Sequence, residues 1–197
     1  MVASDWLGIS LEVGVQWINE PARWSAADGV LNVTADAGTD FWRTTHYGYV
    51  RDDGHVYGDV LDGDFDLRMR VRGAYADQYD QAGAMVRVDE HHWLKTGIEY
   101  VDGRIRFSTV ITREYSSWTV ADLPAGAADL DLHLARRGDA VEIRSGVDGG
   151  ATELAGVVYL PPGRPAFAGA MCAAPSGAGF EVSFYDLAIT PIPRRAP

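Results

Sequence analysis

HHWLKTGIEYVDGRIRFSTVIT, residues 91–112, decides the fold. Asp102-Gly103 stands between two runs rich in β-branched and aromatic residues. An Asp-Gly pair in that setting predicts a two-residue hairpin loop of type I′, because both central residues must tolerate positive φ. A loop of that length fixes the register. Val101 falls opposite Arg104, Glu99 opposite Arg106, Gly97 opposite Ser108, Lys95 opposite Val110 and Trp93 opposite Thr112. Side chains alternate along a strand, so the register also sorts the faces. Leu94, Thr96, Ile98 and Tyr100 join Ile105, Phe107, Thr109 and Ile111 on an apolar face. Trp93, Lys95, Gly97 and Glu99 join Arg106, Ser108 and Thr112 on a polar one. A slip by one residue would bury Lys95 and Glu99 in the core, which makes the register well specified.

The same alternation runs outward along the chain. In FDLRMRVRG, Phe65, Leu67, Met69 and Val71 share one face, and Asp66, Arg68, Arg70 and Arg72 the other. Ala82, Ala84, Val86 and Val88 form an apolar set in the run before the hairpin. If these face the core, Gln81, Gly83, Met85 and Arg87 share the face of Lys95, which demands an odd-length loop around DEHH or a bulge. Short strands punctuated by Asp-Gly, Pro and Gly predict an antiparallel all-β domain, a two-sheet sandwich of some dozen strands, with a closed barrel as the alternative. A short helix near Trp6–Leu11 is the single helical candidate. The 197 residues are expected to form one domain, with its core over about 17–190 and a fraying Pro-rich tail over 190–197.

Composition narrows the functions. The formal net charge is -11. Such a surface repels nucleic acid and anionic membrane, so neither is an expected partner. Cys172 is the sole cysteine, which forbids an intrachain disulfide and points to a reducing, cytoplasmic setting. Its apolar run, AFAGAMCAAP, predicts a buried inert thiol. The N-terminal run reads as no signal peptide, and no apolar run reaches the length of a membrane helix. His91-His92 and Asp52-Asp53-Gly54-His55 read as turns without metal-site spacing, so no metal is expected. No Gly-rich phosphate loop precedes a helix, and no cofactor is expected.

Lys95 is the only lysine beside sixteen arginines, and it sits mid-strand. The polar face around it carries Gln81, Met85, Arg87, Trp93, Glu99, Arg106 and Ser108. Gly83 and Gly97 lie among these larger residues and predict a hollow where a ligand approaches the backbone. Trp93 and Trp118 are expected to wall it. The plainer reading is a solvated sheet face with a Glu99–Arg106 ion pair. TDFWRTTHYGYV, residues 39–50, has no cleanly apolar face. It reads either as an edge packing its aromatics over the sandwich, or as a loop closing one end of the site, with Trp42 and Tyr47 as walls.

Several motifs recur together in order: GDFDLRMRV (63–71), YDQAGAMVRVDEHHWLKTGIEY (79–100), STVITREYSSWTV (108–120) and GFEVSFYDLAI (179–189). With TDFWRTTHYGYV they resemble a family of regulation-of-enolase proteins. The departures are mild: Ala84 stands where the family pattern has leucine, and Ser117 where it commonly has aspartate. The resemblance covers roughly residues 17–190. It implies a concanavalin A-like jelly-roll sandwich of the lectin/glucanase class with a concave face, and it brings no proven reaction.

The favoured expectation is binding of a sugar or small polar metabolite on that face. Asp80, Gln81, Arg87, Trp93, Lys95, Glu99, Ser108, Trp118, Trp42 and Tyr47 are the candidate ligand-binding residues. Lys95 and Arg87 are expected to contact ligand oxygens or a carboxylate, Glu99 and Asp80 to accept hydroxyl protons, and Trp118 to stack on a sugar face. If the protein is an enzyme, Glu99, Asp80 and Lys95 are the best catalytic candidates. Glu99 with Asp80 is the best carboxylate pair for glycoside hydrolysis, and Lys95 with Glu99 for proton abstraction. A protein-interaction module is the remaining alternative.

Overall fold

A computed structural model describes residues 14–193 as two seven-stranded antiparallel sheets and a two-stranded flap. The candidate helix at Trp6–Leu11 lies outside the described residues. The first sheet runs in the order β1 (Gln16–Ile18), β6 (His55–Leu61), β15 (Ala166–Ala173), β8 (Gln81–Arg87), β9 (His92–Val101), β10 (Arg104–Arg113) and β11 (Tyr115–Asp122). The second runs β14 (Glu153–Tyr159), β13 (Ala140–Val147), β12 (Leu130–Arg137), β7 (Asp64–Gly73), β16 (Phe180–Ile192), β3 (Val30–Ala35) and β2 (Arg23–Ala27). The flap pairs β4 (Phe41–Arg43) with β5 (Val50–Asp52).

The hairpin forms in the expected register, with all five of the pairs named above. Asp102 and Gly103 have φ of 52° and 80°, the two positive values a type I′ turn requires. The loop between β8 and β9 is odd: the amides of Val88 and Asp89 bond the carbonyl of His92, leaving Asp89, Glu90 and His91 at the tip. Asp89 holds that tip by accepting the amides of His91 and His92.

The main core lies between the sheets. Phe65, Leu67, Met69 and Val71 of β7 pack toward Ala82, Ala84 and Val86 of β8, Leu94 and Ile98 of β9, and the Ala-rich inner face of β15. Alternation accounts for this layer, and the second sheet keeps its charged residues off the inner face except Arg136, which is buried at the end of β12 and donates to the carbonyls of Pro161 and Arg164. The strand β16 runs on through Thr190, Pro191 and Ile192, which lie opposite Asp66, Phe65 and Asp64. The expected fraying at residue 190 is corrected there, because β7 extends far enough to offer partners; residues 194–197 lie outside the described part.

The first sheet departs from simple alternation. Every residue of β15 and all but one of β8 are buried, as are Trp93 through Glu99 of β9. A second apolar cluster covers the sheet's outer face: Phe41, Trp42, Val56, Met85, Trp93, Val110, Phe167 and Met171. Its cover is the flap, so the face expected to meet solvent is roofed.

Candidate functional site

The flap is fixed at its base and open at its tip. The amides of Asp53 and Gly54 bond the Asp40 carbonyl at 3.0 Å, and the Asp40 amide bonds Asp53 Oδ1 at 2.8 Å. Arg87 on β8 forms a bidentate pair with Asp52 on β5. On the other side the Arg43 amide bonds Ser116 Oγ at 2.8 Å, and Ser116 Oγ meets Thr112 Oγ1 at 2.7 Å. The tip turns through Thr44, His46 and Gly48, all with positive φ, and leaves Tyr47 and Tyr49 partly exposed. Tyr47 stacks on Tyr49 and packs edge-on against Trp42, each with centroids 5.6 Å apart.

Between flap and sheet lies a cavity of about 190 Å³. Asp40, Gln81, Lys95 and Glu99 supply polar groups, and Trp42, Tyr47, Tyr49, Tyr79 and Trp118 the aromatic walls. Arg51, Val110, Pro175 and Ser176 complete the lining. Tyr79 and Trp118 meet edge to face at 6.1 Å. The Tyr47 phenol is pushed up to about 12, first by the Tyr79 hydroxyl beside it and then by burial.

The polar groups are buried and ordered. Lys95 is 4% exposed; its ammonium sits 3.2 Å from Asp40 Oδ1 and donates to Gln81 Oε1. Asp40 Oδ1 also accepts the Phe41 amide at 2.7 Å, and Gln81 Nε2 donates to the Tyr79 carbonyl at 3.1 Å. An ammonium has three hydrogens, so one remains unclaimed by the described residues. Glu99 is 6% exposed. Its Oε2 accepts Trp118 Nε1–H at 2.8 Å and the Ser108 hydroxyl. Its Oε1 takes no hydrogen bond from any described residue. Burial pushes the Glu99 carboxyl above its ordinary value, against the opposite pull of Lys95, Ser108 and Trp118.

Gln81, Lys95, Glu99, Trp118, Trp42 and Tyr47 are thus brought together around one cavity. Four of the expected residues are not. Asp80 points its Oδ2 at the amides of Ala76 and Asp77 and does not line the cavity, because it falls on the opposite side of the strand from Gln81. That removes the Glu99–Asp80 carboxylate pair. Arg87 shares the face but is spent on Asp52, holding the flap. Trp93 is 1% exposed and packs on Phe41 with centroids 6.1 Å apart, so it is core and not wall. Ser108 reaches the site through Glu99 rather than lining the cavity itself.

The Glu99–Arg106 ion pair does not form either: the two residues are opposite in register, but Arg106 turns to Asp122 at 3.3 Å. The glycines also have another purpose. A Cβ on Gly83 would fall 2.1 Å from the Thr96 carbonyl oxygen, and one on Gly97 would fall 2.1 Å from that of Ala82. They let two strands approach, and the hollow beside Gly97, about 10 Å³, has room for no more than a water. Asp40, Tyr79, Tyr49 and Arg51 escaped the reading from sequence. For Asp40 a signal existed: it precedes the adjacent aromatics Phe41 and Trp42, which both need cover.

Residues 17–192 match a family described as "Protein of unknown function (DUF1349)". "Regulation of enolase protein 1" of Saccharomyces cerevisiae is 35% identical over 174 residues, covering 88% of this chain and 88% of that protein. The crystal structure of a functionally unknown protein from Saccharomyces cerevisiae superposes with a TM-score of 0.86 at 34% identity, covering 91% of this chain and 97% of that one. The GH43 BlXynB protein from Bacillus licheniformis aligns with a TM-score of 0.69 at 14% identity, over 93% of this chain but 38% of that one. At that identity the likeness shows the fold alone, a concanavalin A-like antiparallel sandwich.

Proposed function

The chain belongs to the DUF1349 family, and from that premise we propose that it binds a small polar ligand of the sugar class in the cavity beneath the flap. One observation carries the reading: buried hydrogen-bonding groups with unclaimed valences lie under aromatic walls. Among the described residues, one hydrogen of Lys95 and one oxygen of Glu99 have no partner, and Trp42, Tyr47 and Trp118 line the same cavity. Sugars combine hydroxyl edges with apolar C–H faces, and such a surround matches both. The volume equals about six water molecules in the liquid. It suits a monosaccharide-sized ligand rather than a drug-sized one.

Binding without turnover is favoured over glycoside hydrolysis. Asp40 is engaged by Lys95 and the Phe41 amide, and Asp80 lies outside the cavity, so among the described residues Glu99 has no free carboxylate partner to act as a second catalyst.

Calorimetry and thermal unfolding with a panel of monosaccharides and polyols test the proposal. A ligand at about a hundred times its Kd stabilises the protein by about 2.7 kcal/mol. The Tm then rises by several degrees in the native chain, and the rise is lost in Trp118→Ala. If no sugar or polyol shifts the midpoint while the chain retains a protein partner stably, the binding reading fails and an interaction module replaces it.

A further inference from the structure

The charged groups lining the cavity are equal in number, Asp40 and Glu99 against Lys95 and Arg51, but they are not paired evenly. Lys95 is paired with Asp40, Arg51 with Asp53 at 2.8 Å, and Arg106 with Asp122. Glu99 has no cation within ion-pair distance among the described residues, although it is nine-tenths buried. Its Oε2 is filled by two neutral donors, its Oε1 takes no hydrogen bond from a described residue, and the Glu99 side chain lines a cavity walled by aromatic rings. Lys95 acts on Glu99 only from beyond ion-pair distance, and a carboxylate buried without a counter-charge in direct contact is costly, so something else is called on to supply that contact. The rings beside it, Trp118, Tyr47 and Tyr79, favour a cation over their faces. The cation of Lys95, held by Asp40 and Gln81, is not free to receive an anionic ligand as a full partner.

We infer that the preferred ligand carries a protonated amine beside its hydroxyl groups, with the amine on Glu99 Oε1 and a hydroxyl on the free hydrogen of Lys95. Amino sugars are the class that fits. The inference rests on the sugar-site reading above and adds the charge. An acidic sugar would place its carboxylate against Glu99 and Asp40, and an N-acetylated sugar lacks the charge.

The test compares glucosamine and galactosamine with glucose, galactose, glucuronate and choline by calorimetry on the full chain, at neutral pH, where the amines are largely protonated and acid does not neutralise Glu99. The amino sugars are expected to bind at least about tenfold more tightly than their neutral parents, the gain of one charge-assisted hydrogen bond. Glucuronate should be weakest. Glu99→Gln should erase the preference, bringing glucosamine down to the affinity of glucose, and its urea midpoint reports that it folds. If it does not fold, the ratio measured on the native chain decides alone. Equal affinity for glucose and glucosamine overturns the charge inference and leaves the sugar site standing. Choline binding as tightly as glucosamine overturns it in favour of a plain cation cage. Failure of every sugar removes both readings.

Discussion

Replacing Lys95 by methionine tests whether the ion pair under the flap is a true interior feature. Methionine keeps most of the length and apolar volume and deletes the ammonium. Asp40 then loses its cation, and Gln81 Oε1 loses its donor. Breaking a buried pair by removing one partner costs about 3–5 kcal/mol, because the other charge is stranded. Asp40 retains the Phe41 amide and its side chain is 11% exposed, so the lower end, about 3 kcal/mol, is expected. With a urea m-value of about 3 kcal/mol per molar, the midpoint should fall by about 1 M. Asp40→Asn strands Lys95 instead and should cost a similar amount. The double variant strands neither charge, so its cost should be well below the sum, with a coupling of at least about 1.5 kcal/mol. Urea titrations followed by tryptophan fluorescence read all three. A loss under about 1 kcal/mol for Lys95→Met, or additive single variants, would mean the ammonium is solvated and would refute the roofed-site geometry.

Glu99→Gln should stabilise the ligand-free protein at neutral pH. The native carboxyl binds its proton more tightly than the unfolded one, so its stability contribution is full below the ordinary glutamate range and is lost as pH rises through the higher native value. Urea midpoints from pH 4 to 8 should fall in the native chain relative to the variant. Asp89 behaves oppositely: burial works against its charge, but His92, the His91 amide and Arg164 hold its carboxyl well below the ordinary range. Its contribution is present above about pH 4 and lost on acidification, so Asp89→Asn should flatten the acid side of the same profile. Gly97→Ala should cost about 3 kcal/mol or more, since its Cβ meets a backbone carbonyl. Gly103→Ala meets nothing within 4 Å and should cost only about 1 kcal/mol, for its positive φ. Burial raises the Cys172 thiol far above its ordinary value. It should resist a maleimide in the native chain and react fully in urea, as mass spectrometry will show.

The hairpin at Asp102-Gly103 was legible because everything that sets it is local: one turn type, one register, one parity. The inner faces of β7, β8 and β9 followed from the same alternation. The outer face of β9 was misjudged as open because its cover comes from far away in sequence. Asp40 lies 55 residues before Lys95, and no periodicity links them. Trp93, Met85 and Val110 were the trace of that cover, three large apolar residues on a face otherwise read as polar. Asp80 is expected in the site as the carboxylate partner of Glu99, yet it adjoins Gln81, and neighbours along a strand point to opposite sides. The glycines were read as room for a ligand, when the room is filled by the adjoining backbone.

The flap separates what must be constant from what is free to vary. Its base is secured through Asp40, Asp52, Asp53 and Arg43, while residues 44–49 between its two strands pair with neither large sheet. Insertions or exchanges confined to that turn would reshape the mouth of the cavity without touching either core layer, since lengthening a surface loop costs little. The scaffold therefore lends itself to retargeting: a library built over residues 44–49, with the Lys95 and Glu99 floor held fixed, would sample new ligands on an unchanged framework.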